Sequence, residues 1–252
     1  MQNAKEQVFQ QDIINHLVSN GWKLGESSSY DQKHALYTED LVAYLSETQP
    51  EQWAKFCAMN PKGVNEGLLR SVARQLDRKG TLHVLRNTIK DRGVKFRLCQ
   101  FKPDHDLNPE TMARYAANRL RVVPELNYSP NDYTGRLDLA LFVNGIPVAT
   151  LELKSEFKQS VDRAVWQYKN DRNPKGKNGK PEPLLTFKRG ALVHFAVSQF
   201  EVQMTTKLAG KSTFFLPFNK GGADGSAGNI IPPKAGMRRS ISGKRSLRPT
   251  TG

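Results

Sequence analysis

Cysteine is almost missing from this chain: Cys57 and Cys99 are the two it has in 252 residues. They stand far apart and in no metal-ligating spacing, which points to a reduced, intracellular protein, cytoplasmic by expectation, and away from a cysteine-held metal. Neither has neighbours that argue for a nucleophile. Long hydrophobic runs are missing too. No uncharged apolar stretch approaches the ~18 residues a membrane span needs. The polar start MQNAKEQVFQQDI lacks the apolar segment of a signal peptide, so no membrane partner is expected. Acidic residues are scarce, 24 against 38 Lys and Arg, for a formal charge of +14. The scarcity is uneven: residues 225–252 hold six basic side chains and no acid, which leaves +8 on residues 1–224. A basic body suits a polyanionic partner, nucleic acid being the commonest; charge carried for solubility alone is the plain alternative.

What is present suffices for a folded core. The length allows one large domain or two small ones. Val8, Phe9, Ile13, Leu17 and Val18 recur at helical spacing over residues 4–19, and Asn20-Gly21 supplies the stop. Thr38-Glu39-Asp40 opens a helical stretch broken at Gln49-Pro50, GLLRSVARQL from Gly67 is a further amphipathic piece, and GVKFRLCQF over 93–101 alternates like a strand. Asn108-Pro109-Glu110 joins an N-cap, a proline at the first helical position and a first-turn acid, for a helix expected to reach about Leu120. Another helix is expected over 160–170, with Val161, Ala164, Val165 and Tyr168 as its buried stripe. NPKGKNGKPEP, 173–183, reads as a loop, and ALVHFAVS, VQMTTKL and TFFLPF as strands. After Phe218 the composition shifts to Gly, Ser, Pro, Lys and Arg without periodicity, so a disordered basic tail is expected over 221–252. The expected organisation is a mostly helical region, 1–100, packed on a core, 101–220, followed by that tail.

The segment GRLDLALFVNGIPVATLELKS, 135–155, reads as two apolar strands around Asn144-Gly145, yet it carries Asp138, Glu152 and Lys154. Burying a carboxylate without a partner costs several kcal/mol, about the net stability of a marginal domain, so such a strand needs something to compensate the charge. Glu152 and Lys154 are two apart and share a face, with Leu151 and Leu153 on the other. A strict two-residue turn pairs Val143 with Ile146 and sets Asp138 opposite Leu151. A three-residue loop or a bulge pairs it with Glu152 instead, and Pro147, which cannot donate to a regular ladder, favours such an irregularity. Two facing carboxylates repel unless a cation sits between them, and hard oxygen ligands with room for water suit Mg²⁺. A lysine beside them can orient an attacking water or stabilise charge on a phosphate. The plain alternative is an edge strand with Glu152 and Lys154 as an exposed ion pair.

Asp followed by Glu-x-Lys across a hairpin resembles the PD-(D/E)XK nuclease core. Around it, TEDLVAYLSETQPEQWAKF, IKDRGVKFRLCQFKP, LNPETMARYAANRLRVV, LDLALFVNGIPVATLELK, AVWQYKNDR and ALVHFAV followed by MTTKLAGKSTFFLPFNKG together resemble the N-terminal region of type I restriction endonuclease motor (R) subunits, in order from about residue 6 to 228. The resemblance implies an α/β, restriction-endonuclease-like core, a mixed sheet flanked by helices, that cuts double-stranded DNA with Mg²⁺. It maps the metal carboxylates onto Asp138 and Glu152 and the catalytic lysine onto Lys154. The family's Gln-x-x-x-Tyr motif is matched at Gln167, while Asp171 holds the tyrosine position and Tyr168 adjoins the glutamine; Gln167 is a catalytic candidate by resemblance and equally a core-rim glutamine by its own neighbours. The resemblance further implies methyltransferase and specificity subunits as partners, and ATP only for a translocase motor that follows in the family. The match stops at Gly228-Asn229, as a shifted reading frame or a truncated copy would produce; a phosphate-gripping tail is the alternative. A non-catalytic docking or DNA-binding module is the rival from another class.

Other motifs carry less. AGKST, 209–213, lacks the first glycine of a phosphate-binding loop, since Thr205 stands there, and precedes a strand where that motif needs a helix. Asp104-His105-Asp106 reads as a solvated turn and His194 as a satisfied strand histidine. Glu110 is explained by its place in a first helical turn. Arg172, Lys175, Lys177 and Lys180 either contact DNA backbone or form a solvated loop.

Overall fold

The structure is a computed structural model that describes residues 4–155, 161–176 and 178–218. The tail expected over 221–252 and Lys177 lie outside the described residues. In chain order the elements are α1 (Ala4–Ser19), β1 (Lys23–Leu24), β2 (Tyr30–Asp31), β3 (Leu36–Tyr37), α2 (Thr38–Thr48), α3 (Pro50–Met59), α4 (Val64–Lys79), α5 (Thr81–Arg86), β4 (Ile89–Asp91), β5 (Val94–Phe96), α6 (Pro109–Ala116), β6 (Leu120–Asn127), β7 (Arg136–Val143), β8 (Ile146–Lys154), α7 (Val161–Asn170), β9 (Val193–Ser198), β10 (Val202–Thr205) and β11 (Leu216–Pro217). Seven strands form one sheet in the order β1-β6-β7-β8-β9-β10-β11. It is mixed: β1 runs parallel to β6 and β8 parallel to β9, and the other pairs are antiparallel. The α/β class, with a mixed sheet between helices, is as the sequence implied. Among the described residues no helix is long and apolar enough to cross a membrane.

Alternation along the central strands sorts side chains onto two faces. One face, with Val122, Leu139 and Leu153, packs on Ile14, Phe9 and Leu17 of α1. The other, with Val123, Ala140, Phe142 and Ala196, packs on Val161, Ala164 and Tyr168 of α7. A third cluster gathers Leu41, Tyr44, Phe56, Leu68, Leu76 and Val84 from α2 to α5 and reaches the sheet at Ile146. The buried Arg121 of β6 joins α2 to the sheet: Nε and Nη2 donate to Asp40 Oδ2 and Oδ1 at 2.5 and 2.7 Å, and the guanidinium lies 4.5 Å from the Tyr37 ring centre.

Two local expectations need correction. The helix capped by Asn108, whose Oδ1 accepts from Thr111 N at 3.0 Å, stops at Ala116; Leu120 instead opens β6. Pro124 and Glu125 break the alternation of LRVVPELN and hide that strand from a pattern reading. The stretch 93–101 is a strand only at Val94–Phe96. Beyond it, side-chain amides replace a partner strand: Gln49 brackets Arg97, donating to its carbonyl at 2.9 Å and accepting from its N–H at 2.8 Å.

The turn between β7 and β8 takes the bulge rather than the three-residue loop. Its loop has two residues, Asn144 at φ 50° and Gly145 at φ 78°, with Val143 paired to Ile146. The irregularity comes after it: Phe142 faces Pro147, but Leu141 faces Ala149, so Val148 is an extra residue bulged out of the ladder.

Candidate active site

The bulge at Val148 decides the chemistry of the hairpin. The ladder runs on through Ala140 opposite Thr150 and Leu139 opposite Leu151, so the next facing positions are Asp138 and Glu152. Both are buried, on strands with neighbours on each side. The exposed edge-strand ion pair is therefore excluded: Glu152 is fully buried and Lys154 turns elsewhere.

Asp138 Oδ2 accepts from the backbone N–H of Leu153 at 2.6 Å, which ties the carboxylate of β7 to β8. Burial pushes the Asp138 carboxyl up, against the Leu153 N–H and the Lys154 charge, which hold it down. Glu152 is perturbed further. Burial pushes it up to about 8, and the Arg172 guanidinium opposes that while Asp138 adds to it. Arg172 Nε donates to Glu152 Oε1 at 2.6 Å. Glu152 Oε2 is buried and has no hydrogen-bond partner among the described residues. A buried acceptor of this kind is costly and is the observation to test against a metal. Two opposed acids, one with an orphaned oxygen, fit a hard cation that keeps waters in its remaining positions. Among the described residues no group of three or more Asp, Glu, His or Cys side chains is placed to hold an ion, so water or phosphate oxygens must complete any coordination shell.

Lys154 Nζ donates to Glu6 Oε1 at 3.0 Å and to the Leu153 carbonyl at 2.8 Å. An ammonium has three N–H donors, and the described residues engage two of them. Glu6 lies on α1, as does Gln10, whose Nε2 donates to the Asp138 carbonyl at 2.7 Å and to Glu125 Oε1 at 3.0 Å. The first helix thus closes over the end of the hairpin and fixes its lysine.

A family model described as type I restriction enzyme R protein N terminus matches residues 3–213. The chain belongs to that family. No curated protein matches it. In this R-protein N-terminal region, Asp138, Glu152 and Lys154 come from one hairpin, and Gln167 lies half-buried on the adjoining α7. Among the described residues the Gln167 side chain makes no hydrogen bond to the two acids or the lysine. Its neighbour Tyr168 is fully buried, with its hydroxyl 2.8 Å from Thr150 Oγ1, itself 2.7 Å from His194 Nδ1. Burial takes His194 down to about 3, so it is the neutral strand histidine its pattern suggested.

Glu6, Gln10, Glu125 and Arg172 are neighbours of the site that sequence reasoning does not assign to it. The sequence offers Arg172 as a DNA contact or a solvated loop residue, whereas its partner is Glu152, twenty residues earlier. Position gives one clue, since an arginine just past α7 falls where that helix leaves the sheet face carrying Glu152. Glu125 has left-handed backbone, φ 48°, and nothing in VVPELN signals that. Glu110 pairs with Arg114 on the exposed α6 at 3.5 Å. Asp104, His105 and Asp106 are exposed. Thr213 Oγ1 accepts from Ala209 N at 2.8 Å and donates to Gly210 O at 2.6 Å, which closes AGKST on itself with no helix behind it.

Proposed function

We propose that this R-protein N-terminal region is a Mg²⁺-dependent DNA endonuclease that hydrolyses phosphodiester bonds, with Asp138 and Glu152 holding the ion, Lys154 as the catalytic lysine and Gln167 as a subsidiary residue of the site. The observation that carries it is Glu152 Oε2, buried without a hydrogen-bond partner among the described residues, at the strand position that the bulged register sets opposite Asp138. Bound there, Mg²⁺ would supply Lewis-acid polarisation of a phosphate oxygen and ease ionisation of water. Leu153 N–H orients Asp138, and Arg172 orients Glu152 and favours its ionised form. Glu6 and the Leu153 carbonyl fix the Lys154 ammonium, whose third N–H would serve the attacking water or a non-bridging phosphate oxygen. The substrate is double-stranded DNA, in keeping with the +14 charge. Methyltransferase and specificity subunits of a type I restriction complex are the proposed partners, and ATP would act only in the translocase motor that follows in the family.

Nicking of supercoiled DNA tests this, with Mg²⁺ against EDTA and Lys154→Ala as control. Mg²⁺-dependent nicking that the variant loses supports the reading; equal nicking by both overturns it. One observation favours a second reading, a non-catalytic DNA-binding module: Glu152 already has an internal cation in Arg172. DNA retention that falls steeply with salt, without nicking in Mg²⁺ or Mn²⁺, is its signature.

A further inference from the structure

A cleft of about 650 Å³ lies where the end of α4 meets the 181–189 loop, and none of its lining residues belongs to the candidate active site. Its wall is strongly basic. Lys33, Arg78, Lys79, Lys188 and Arg189 line it, against Asp77 as the one acid, and Asp77 is already paired with Arg189 Nε at 3.0 Å. Four of the five cations are solvent-exposed. The fifth, Arg189, is nine-tenths buried. Its Nη2 donates to the His34 carbonyl at 2.7 Å, and its Nη1 is buried and has no hydrogen-bond partner among the described residues. A buried guanidinium N–H without an acceptor is unusual in a native fold and asks for one.

The turn that presents Lys188 and Arg189 is built rather than loose. Lys188 has left-handed backbone, φ 66°, which costs a lysine free energy and persists only where surroundings enforce it. Here the fully buried Thr81 enforces it. Its N–H donates to the Lys188 carbonyl at 2.7 Å, and its hydroxyl lies 2.7 and 2.8 Å from the Arg189 and Gly190 carbonyls. Gly80 passes so close that a Cβ there would stand 3.0 Å from the Lys188 carbonyl oxygen. Three elements therefore converge on one strained, positively charged turn facing a cavity large enough for several phosphate groups.

We propose that this cleft is a phosphate-binding site separate from the catalytic carboxylates, with Lys33, Lys79 and Lys188 as its charged rim and Arg189 as the buried donor in its wall. The ligand class is a phosphorylated polyanion, either the backbone of a duplex or a free polyphosphate. Arg and Lys recognise both through charge-assisted hydrogen bonds.

The test measures equilibrium binding to the whole chain in EDTA, on an Asp138→Asn background, so that neither binding nor its loss depends on cleavage or on the nuclease reading. The probes are sodium triphosphate and a short blunt duplex, each over a range of salt. Lys33→Gln with Lys188→Asn is the cleft variant, asparagine being chosen because it tolerates left-handed backbone. Lys55→Gln with Lys95→Gln removes the same charge from exposed positions elsewhere. Circular dichroism checks that each folds, and Lys33→Gln with Arg78→Gln, both on exposed side chains, replaces the first variant if the turn collapses. The expected result is a loss of about tenfold per charge removed from the cleft and a salt dependence flatter by about one power for each phosphate no longer neutralised, with the control pair near wild type. A loss confined to the duplex names the nucleic-acid backbone as ligand, and one confined to triphosphate names a free polyphosphate. Equal behaviour of cleft and control variants toward both probes, or no binding of either probe by the parent chain, overturns the proposal.

Discussion

The desolvated carboxyl of Glu152 makes the stability of the metal-free protein fall as pH rises. In the unfolded chain this group titrates near 4.5, and in the folded chain near 8. Between those values the folded protein holds a proton that the unfolded chain has released, so stability is lost with increasing pH across that window and levels off above it. A tenfold change in proton affinity is worth about 1.4 kcal/mol, which puts the total loss at about 5 kcal/mol. Asp138, also pushed up by burial, acts in the same direction. Glu152→Gln removes the Glu152 contribution and leaves Arg172 without its anion at every pH, a constant offset. The informative quantity is therefore the wild-type minus variant difference in urea midpoint, followed from pH 4 to 9. At a typical urea slope, about 5 kcal/mol moves the midpoint by about 2 M. Mg²⁺ at a hundredfold excess over its dissociation constant should return about 2.7 kcal/mol to the wild type above pH 8 and much less to the variant. Parallel pH curves for the two proteins would refute the reasoning, because a group that titrates normally is solvated and has no need of a cation.

Two further substitutions test the frame around the site. Gly145→Ala places a Cβ 2.3 Å from the Tyr37 carbonyl oxygen and forces φ 78° on an alanine; a loss above about 2 kcal/mol in chemical denaturation is expected, with nicking lost as the hairpin shifts. Asp40→Ala strands the buried Arg121 guanidinium beside Tyr37 and should cost about 3–5 kcal/mol by the same measurement, without altering the salt dependence of DNA binding.

Local signals carry far along the chain. The helix starts at Thr38 and Pro50, the cap at Asn108, the stripe of α7 and the alternation of β7, β8 and β9 are properties of short windows, and they place most elements. The pairing of Asp138 with Glu152 is legible for a related reason: Asn144-Gly145 sets the turn, Pro147 requires an irregularity next to it, and buried acids at those positions demand a compensating partner. What stays hidden depends on encounters distant in sequence. Leu120–Asn127 joins the sheet because β1 and β7 flank it, although Pro124 and Glu125 spoil its own pattern. Glu6 meets Lys154 across 148 positions and Gln10 meets Asp138 across 128, and no window of sequence records either encounter. The carboxylates and the Leu153 N–H that holds Asp138 are readable from strands, whereas Glu6 and Gln10 reach the site from α1 and Arg172 from the end of α7.

The position of β7 and β8 within the sheet bears on which ions the proposed site would tell apart. Asp138 and Glu152 ride on neighbouring inner strands, each hydrogen-bonded on both flanks, so the gap between their oxygens is set by the backbone like the jaws of a locked caliper. Acids carried on a flexible loop adapt to a large ion by spreading; these can adapt only by rotating side chains. Were the proposed cation held there, discrimination between a small octahedral ion and a larger one such as Ca²⁺ would follow main-chain spacing, and a change of metal preference would call for a remade ladder, with Val148 as the residue whose extra length gauges the opening.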